Sequence, residues 1–236
     1  VCLPNYLAAE TTISGLEKNC HVFCEKPPGR SIADIIDVIK AEDANPSKKL
    51  KYGFNHRYHD SVLKALRIIA SGELGRVVNL RGIYGKSGFF GPAGADWRSD
   101  RSQAGGGILL DQGIHLVDLM RLFAGEFSEV KSFVENGYWK QEVEDNAYVI
   151  LRTKDGVVAM LHSSATQWQH KFELEISMQL GTISLSGILS GSKSYGEEKI
   201  TVLRKTQDGG SLTQSTTKYL EDNSWRDEIE EFLETI

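Results

Sequence analysis

The chain has 236 residues, 40% of them hydrophobic and 25% charged, with a formal net charge of −5. That is the composition of an ordinary globular protein with room for one large domain, or for one domain and part of another. It excludes a polybasic nucleic-acid surface, and no apolar run approaches the roughly 18 residues of a bilayer span. Cys2, Cys20 and Cys24 lack the Cys-x-x-Cys spacing of a metal or redox motif, so free thiols in the cytoplasm are expected.

The chain opens "VCLPNYLAAE", without a charged leader, and "VCLP" reads as the tail of a buried strand rather than a translation start. The expectation is a fragment whose upstream part is missing. Residues 1–55 then alternate in the βαβ manner. A strand end at Val1–Leu3 leads into a helix near Ala8–Asn19, followed by the strand "HVFCEK", a "PPG" break and a helix over about Ser31–Glu42. In that second helix Ile32, Ile35, Ile36 and Ile39 make an apolar row, and "LKYGFN" is the next strand. Short strands separated by helices imply parallel pairing with right-handed crossovers. No Gly-x-Gly-x-x-Gly follows a strand, so the phosphate-binding half of a doubly wound sheet is not expected here.

From His56 onward the pattern changes. A helix over Ser61–Ser71 ends at "GELG" and gives way to the strand "RVVNLRGIY", a Gly-rich loop (Gly85–Gly94) and "DWRSD". Next comes "AGGGILLDQGIHLVDLM", read as one helix behind three glycines and terminated at Ala124–Phe127. The strands "EVKSFVEN", "NAYVILRT", "VVAMLHSSA", "FELEISMQL", "TISLSG" and "KITVLR" follow, with hairpin-like turns such as "KDG" and "QDGG". They predict a large, mostly antiparallel sheet with one face free for helices or a partner. In the closing helix, "SWRDEIEEFLETI", the residues Trp225, Ile229, Phe232 and Ile236 share a face, and Ser224 with Asp227 can cap the start.

In the glycine-led helix, Asp111, His115 and Asp118 project from one face among apolar neighbours. An imidazole so placed can be tuned by a carboxylate and act as a general base. The alternatives are a buried histidine bonded to Asp111 and nothing more, or a metal site using both, for which no third ligand is evident. Glu25 and Lys26 stand at the carboxyl end of a strand, where open α/β sheets place ligands, and the Lys26–Pro27 bond is of the kind that can be cis. Asn5 either bonds a ligand amide or caps its helix. Asn55, Arg57 and Tyr58 follow the last parallel strand, and Trp97 and Arg98 lie after the Gly-rich loop; each group either touches cofactor or substrate or packs at a domain junction. For His162, Trp168 and His170 the expectation is packing.

In this order, "PN…HVFCEKP…GFNHRY…DWR…GGGILLDQGIHLVDLM" resembles the glucose–fructose oxidoreductase / inositol dehydrogenase (Gfo/Idh/MocA) family over nearly the whole chain. The resemblance implies an α/β plus α+β fold. Residues 1–55 would be a partial NAD(P)-binding Rossmann domain, the C-terminal half of its parallel sheet. Residues 56–236 would be a C-terminal α/β substrate and oligomerisation domain with a large open antiparallel sheet flanked by helices. By the same resemblance Lys26 hydrogen-bonds the substrate hydroxyl, His115 takes its proton and Asp111 is the acidic companion. Asn5, Glu25, Pro27, Asn55, Trp97 and Arg98 would lie on the cofactor side, and the three glycines would let backbone approach a hydroxylated substrate. Pro28 departs from the family pattern, which has an apolar side chain there.

The expected activity is hydride transfer between NAD or NADP and a secondary alcohol or ketone of a sugar, cyclitol or nucleotide-sugar, with no metal. The partner is a second copy of the chain, met through the sheet, rather than nucleic acid or membrane. As a fragment the chain is expected to be inactive, with an exposed sheet edge near Val1. Two rival readings are a sugar-binding or oligomerisation module with relic motifs, and a metal-assisted hydrolase or lyase using Asp111 and His115. An NAD-dependent hydrolysis known within the family is a third.

Overall fold

The computed structural model describes residues 1–88, 97–206 and 211–236; positions 89–96, which include 89–94 of the expected Gly-rich loop, and the whole "QDGG" turn lie outside the described residues. The first layer is small. Helix α1 (Asn5–Glu17) starts directly behind Pro4, three residues earlier than expected, and strand β1 (Val22–Glu25) pairs in parallel with β2 (Leu50–Gly53) across helix α2 (Ile32–Ala44). The Val1 amino group donates to Phe23 O at 2.5 Å and Glu25 N donates to Val1 O at 2.9 Å, so the first residue lies extended along β1. Ala8, Leu16, Val22, Cys24 and Ala41 form the core of this layer.

The isoleucine row of α2 is not its inward face. Val38 and Ala41 are buried, whereas Ile32, Ile36 and Ile39 are 80%, 46% and 49% exposed. The side carrying small Ala41 approaches α1, which turns the bulky row outward.

A 3-10 turn (Asn55–Tyr58) leads to helix α3 (Asp60–Ser71), which ends at Gly72 in the left-handed region, φ 72°. Strand β3 (Val77–Ser87) precedes a short helix α4 (Arg101–Ala104), a π turn (Leu109–Gly113) and helix α5 (Ile114–Ala124). The remaining strands are β4 (Phe127–Glu135), β5 (Asn146–Thr153), β6 (Val158–Ser164), β7 (Thr166–Met178), β8 (Gly181–Ser186), β9 (Glu198–Lys205) and β10 (Leu212–Tyr219). With β3 they make an eight-stranded sheet in the order β10-β9-β8-β7-β3-β6-β5-β4, parallel at β3–β6 and antiparallel at its other junctions. One face is sealed by α3 and α5 through Val62, Ala65, Leu116, Leu119 and Met120. The other is open, with Phe133, Tyr148, Ile150 and Met160 exposed. Strand β10, absent from the sequence expectations, is an edge strand of Thr, Ser and Gln that offers no apolar alternation to read. No described helix is long and apolar enough to cross a membrane.

The last helix, α6 (Ser224–Glu234), packs against the small layer, with Phe232 edge-on to Phe23 at 5.7 Å. Its inward row is Ser224, Glu228 and Phe232; Trp225, Ile229 and Ile236 are 54%, 37% and 57% exposed, against the expected face. The expected Ser224/Asp227 cap is replaced as well. Ser224 Oγ donates to Asp222 Oδ1 at 2.6 Å and accepts from Asn55 Nδ2 at 3.1 Å, which ties the helix start to the 3-10 turn.

Glu228 is 1% exposed, and neither carboxylate oxygen has a hydrogen-bond partner among the described residues. Burial pushes its pKa from 4.5 up to about 7. The folded state therefore holds a proton that the unfolded chain releases earlier, and stability falls as pH rises through that window, by up to about 3 kcal/mol. Urea denaturation at about pH 5 and about pH 8 should show this loss in the parent, and Glu228→Gln should remove most of it. An equal pH slope in the two proteins would contradict the assignment.

Candidate active site

The helix expected behind the three glycines is present from Ile108 to Ala124, but its first part is a π turn, and the glycines separate it from a shorter helix. Helix α4 stops at Gly105, whose φ of 83° only glycine adopts easily, and the chain restarts as the π turn before α5. The three glycines face protein rather than an open approach for substrate, contrary to expectation. A Cβ on Gly105 would lie 2.5 Å from Arg30 O, and one on Gly107 would lie 2.1 Å from Glu144 O. Glu144 clamps the restart by accepting from Gly107 N at 2.7 Å and Leu109 N at 3.1 Å.

The π turn inserts a residue into the helical count, so Asp111, His115 and Asp118 do not share a row of partners. Asp118 is gripped in bidentate fashion by Arg57, with Nε donating at 2.7 Å. Asp111 instead meets Lys86 Nζ at 2.7 Å and Arg98 Nε at 3.6 Å, and its backbone oxygen accepts from Lys26 Nζ. Lys26 reaches it from the end of β1, where the Lys26–Pro27 bond is cis.

His115 is 5% exposed and makes no hydrogen bond to Asp111. Its ring stacks on His56 at 3.8 Å and 11°, and its Nδ1 has no partner among the described residues. His56 is fixed by Asn55 Oδ1 and Tyr84 Oη, each at 3.1 Å. Burial first, then Lys26 and His59, hold the His115 pKa well below the usual histidine value, so the ring is neutral. Burial works to raise the Asp111 pKa, but Lys86, Lys26 and Arg98 outweigh it and keep the carboxylate ionised. Burial lowers the Lys26 pKa against the pull of Asp111 and Glu25, and it raises that of Glu25 against Lys26.

Two clefts adjoin here. One, of about 330 Å³, is lined by Asn5, Glu25, Lys26, Pro27, Trp97, Arg98 and Asp111. The other, of about 420 Å³, is lined by Lys26, Lys86, Asp111 and His115 together with Tyr84, Gln112, His170 and Tyr195. Lys26, Arg98 and Asp111 belong to both, so they form the shared wall. Of the nine residues to which the resemblance gives a role, Asn55 lines neither cleft; it is spent on Ser224 and His56. Asn5 is the first residue of α1 rather than its cap, and its Nδ2 donates to Ala104 O at 2.8 Å.

Lys86, Tyr84, Gln112 and Tyr195 were not anticipated, and His170 was expected only to pack. A signal existed for the first two: Leu80, Tyr84 and Lys86 alternate onto one side of β3, and a lysine on the core side of a strand calls for a partner. His162 does pack, stacked on Tyr148 at 4.2 Å, whereas Trp168 is 57% exposed beside Tyr138 and Trp139. Among the described residues no group of three or more His, Cys, Asp or Glu side chains is placed to hold a metal ion.

Two family models match the chain: residues 1–54 fit an oxidoreductase family NAD-binding Rossmann fold, and residues 62–184 a GFO/IDH/MocA C-terminal domain. Levoglucosan dehydrogenase of Pseudarthrobacter phenanthrenivorans is 34% identical over 136 residues, covering 56% of this chain and 34% of that protein. The 1,5-anhydro-D-fructose reductase of Ensifer adhaerens is 29% identical over 171 residues, covering 70% of this chain and 50% of its own length. A levoglucosan dehydrogenase structure in complex with NADH and levoglucosan superposes with a TM-score of 0.79 at 25% identity, covering 92% of this chain and 59% of the other. The chain thus spans about a third to a half of these two curated relatives. With matching models over both its small parallel layer and most of its large sheet, the chain belongs to the Gfo/Idh/MocA family of oxidoreductases.

Proposed function

We propose that the two clefts are the catalytic centre of an NAD(P)-dependent oxidoreductase acting on a secondary alcohol or ketone of a sugar or cyclitol. The observation that carries the reading is that a buried, neutral His115 lines the larger cleft together with Lys26, which stands on the wall shared with the smaller one. In this reading residues 1–55 serve the cofactor and 56–236 the substrate and assembly.

Asn5, Glu25, Pro27, Trp97 and Arg98 would hold the nicotinamide end in the smaller cleft, which they line beside Lys26. The chain contains no Gly-x-Gly-x-x-Gly, so no pyrophosphate contact is assigned to it. When bound, the nicotinamide supplies the hydride acceptor or donor. Lys26 donates a hydrogen bond to the substrate oxygen and stabilises the negative charge that builds there as the hydroxyl proton leaves, before hydride loss closes the carbonyl. A ring nitrogen of neutral His115 takes the hydroxyl proton, while stacking on His56 fixes the ring plane. Ionised Asp111 pulls against the burial that lowers the pKa of both Lys86 and Lys26.

The open sheet face, with Phe133 76% exposed near Tyr148, Ile150 and Met160, is the surface assigned to self-association. The free thiols of Cys2, Cys20 and Cys24 fit a cytoplasmic protein.

The protein as expressed from its gene, given NAD⁺ or NADP⁺ with D-glucose, methyl glucosides or myo-inositol, is expected to reduce the nicotinamide with at least one of them. Lys26→Met should lower kcat about a hundredfold or more. Binding of these polyols without turnover would leave only a binding module.

A further inference from the structure

We propose that the loop between β8 and β9, residues 189–195, is a hydroxyl-reading subsite that selects an uncharged polyhydroxylated ring by the groups remote from its reacting carbon. It rests on the function proposed above and narrows its substrate class. The loop reads "LSGSKSY", with Ser190, Ser192 and Ser194 at alternate positions, and all three line the larger cleft with Lys26 and His115. Their hydroxyls are chained: Ser190 Oγ to Ser192 Oγ is 3.1 Å, and Ser192 Oγ to Ser194 Oγ is 2.7 Å. His170 Nδ1, from β7, closes the chain on Ser194 Oγ at 2.8 Å.

The chain is held in place at both ends. Gln112 Nε2, next in sequence to Asp111, donates to Tyr195 Oη at 2.6 Å, and the Tyr195 ring lies 5.2 Å from those of Tyr84 and His170. At the loop base Gly187 N donates to Phe172 O at 2.9 Å, with a φ of 67° and room for no Cβ beside Glu197 O. The hydroxyls are therefore tied to the frame that carries Asp111 and His115.

Each hydroxyl brings one donor and two acceptor lone pairs. Run from Ser190 towards His170, the chain consumes every hydroxyl proton and presents only lone pairs to the cleft. Run the other way, it frees a single proton, at Ser190. In either direction acceptors outnumber donors along the serine chain, which suits the O–H groups of a sugar or cyclitol and offers a phosphate or carboxylate, which has only lone pairs, at most one proton there. The direction follows the His170 tautomer, so the subsite can adapt to either hydroxyl orientation.

Ligand-observed NMR titration of the 236-residue chain with myo-inositol, D-glucose and D-glucose 6-phosphate tests this directly. The triple variant Ser190→Ala, Ser192→Ala, Ser194→Ala is expected to bind myo-inositol and D-glucose about ten- to a hundredfold more weakly, with an unchanged melting temperature. Ser192→Ala alone, which cuts the chain at its middle, should give a smaller loss. Unchanged affinity in the triple variant, with binding still lost in Lys26→Met, overturns the subsite and leaves the proposed function standing. Serine-dependent preference for the 6-phosphate overturns the uncharged class. Failure of the unmodified chain to bind any of the three probes counts against the proposed substrate class itself, and the subsite falls with it.

Discussion

His115→Asn is expected to reduce kcat for polyol oxidation about 10²- to 10⁴-fold, the range for loss of a positioned general base, with a much smaller change in KM. The parent should also keep its His115-dependent activity into mild acid. A base works in its deprotonated form, so activity is present above the folded-state pKa and lost as pH falls through it. Burial, reinforced by Lys26 and His59, sets that pKa well below 6.5, and the acid limb of kcat should lie on the acid side of the ordinary histidine value. A limb centred at or above that value, or a His115→Asn protein within a fewfold of the parent, would remove His115 from the role of base.

The second large effect is structural. Gly107→Ala is expected to destabilise the protein by about 3 kcal/mol or more, because its Cβ would stand 2.1 Å from Glu144 O and 2.8 Å from Glu144 N, backbone atoms that cannot rotate away. The contacts at risk are those that restart the chain before α5: Ile108 N to Glu144 O at 3.1 Å, the two Glu144 carboxylate bonds, and Ser163 Oγ to Ile108 O at 3.0 Å. Gly125→Ala, at a φ of 84° with nothing within 4 Å, should cost only about 1 kcal/mol, and Gly137→Ala, open and unstrained, close to nothing. Urea denaturation of the three variants checks the ranking. Equal stability of the Gly107→Ala and Gly137→Ala proteins would contradict the clamp.

These glycines also mark where the sequence stopped being legible. The helix expected behind them is there, but its π turn over Leu109–Gly113 leaves no mark in the apolar pattern, and the close contacts of Gly105 and Gly107 are with Arg30 and Glu144, which are distant in sequence. The same limit explains the misread helix faces. A row of isoleucines in α2, or of Trp225, Ile229 and Ile236 in α6, identifies an apolar stripe but not which stripe another element covers. The overall architecture was legible because period-2 and period-3.6 patterns report local geometry that both sheets retain. Strand β10 escaped because it is polar on both faces. At the site, Lys26, Asp111 and His115 were visible through short motifs at element ends, and the structure brings them to one cleft. Lys86, His170 and Tyr195 arrive from β3, β7 and the β8–β9 loop, and only the sheet topology joins them.

The most direct measurement follows the hydride itself. The protein as expressed from its gene is incubated with NADH or NADPH carrying deuterium at the transferable position, together with keto derivatives of D-glucose and myo-inositol, and the products are analysed by mass spectrometry. The predicted result is one carbon-bound deuterium in the alcohol product from one of the two cofactors, abolished by Lys26→Met and strongly reduced by His115→Asn. Product formed without deuterium, or at the same rate without nicotinamide, would contradict hydride transfer at the Lys26–His115 cleft.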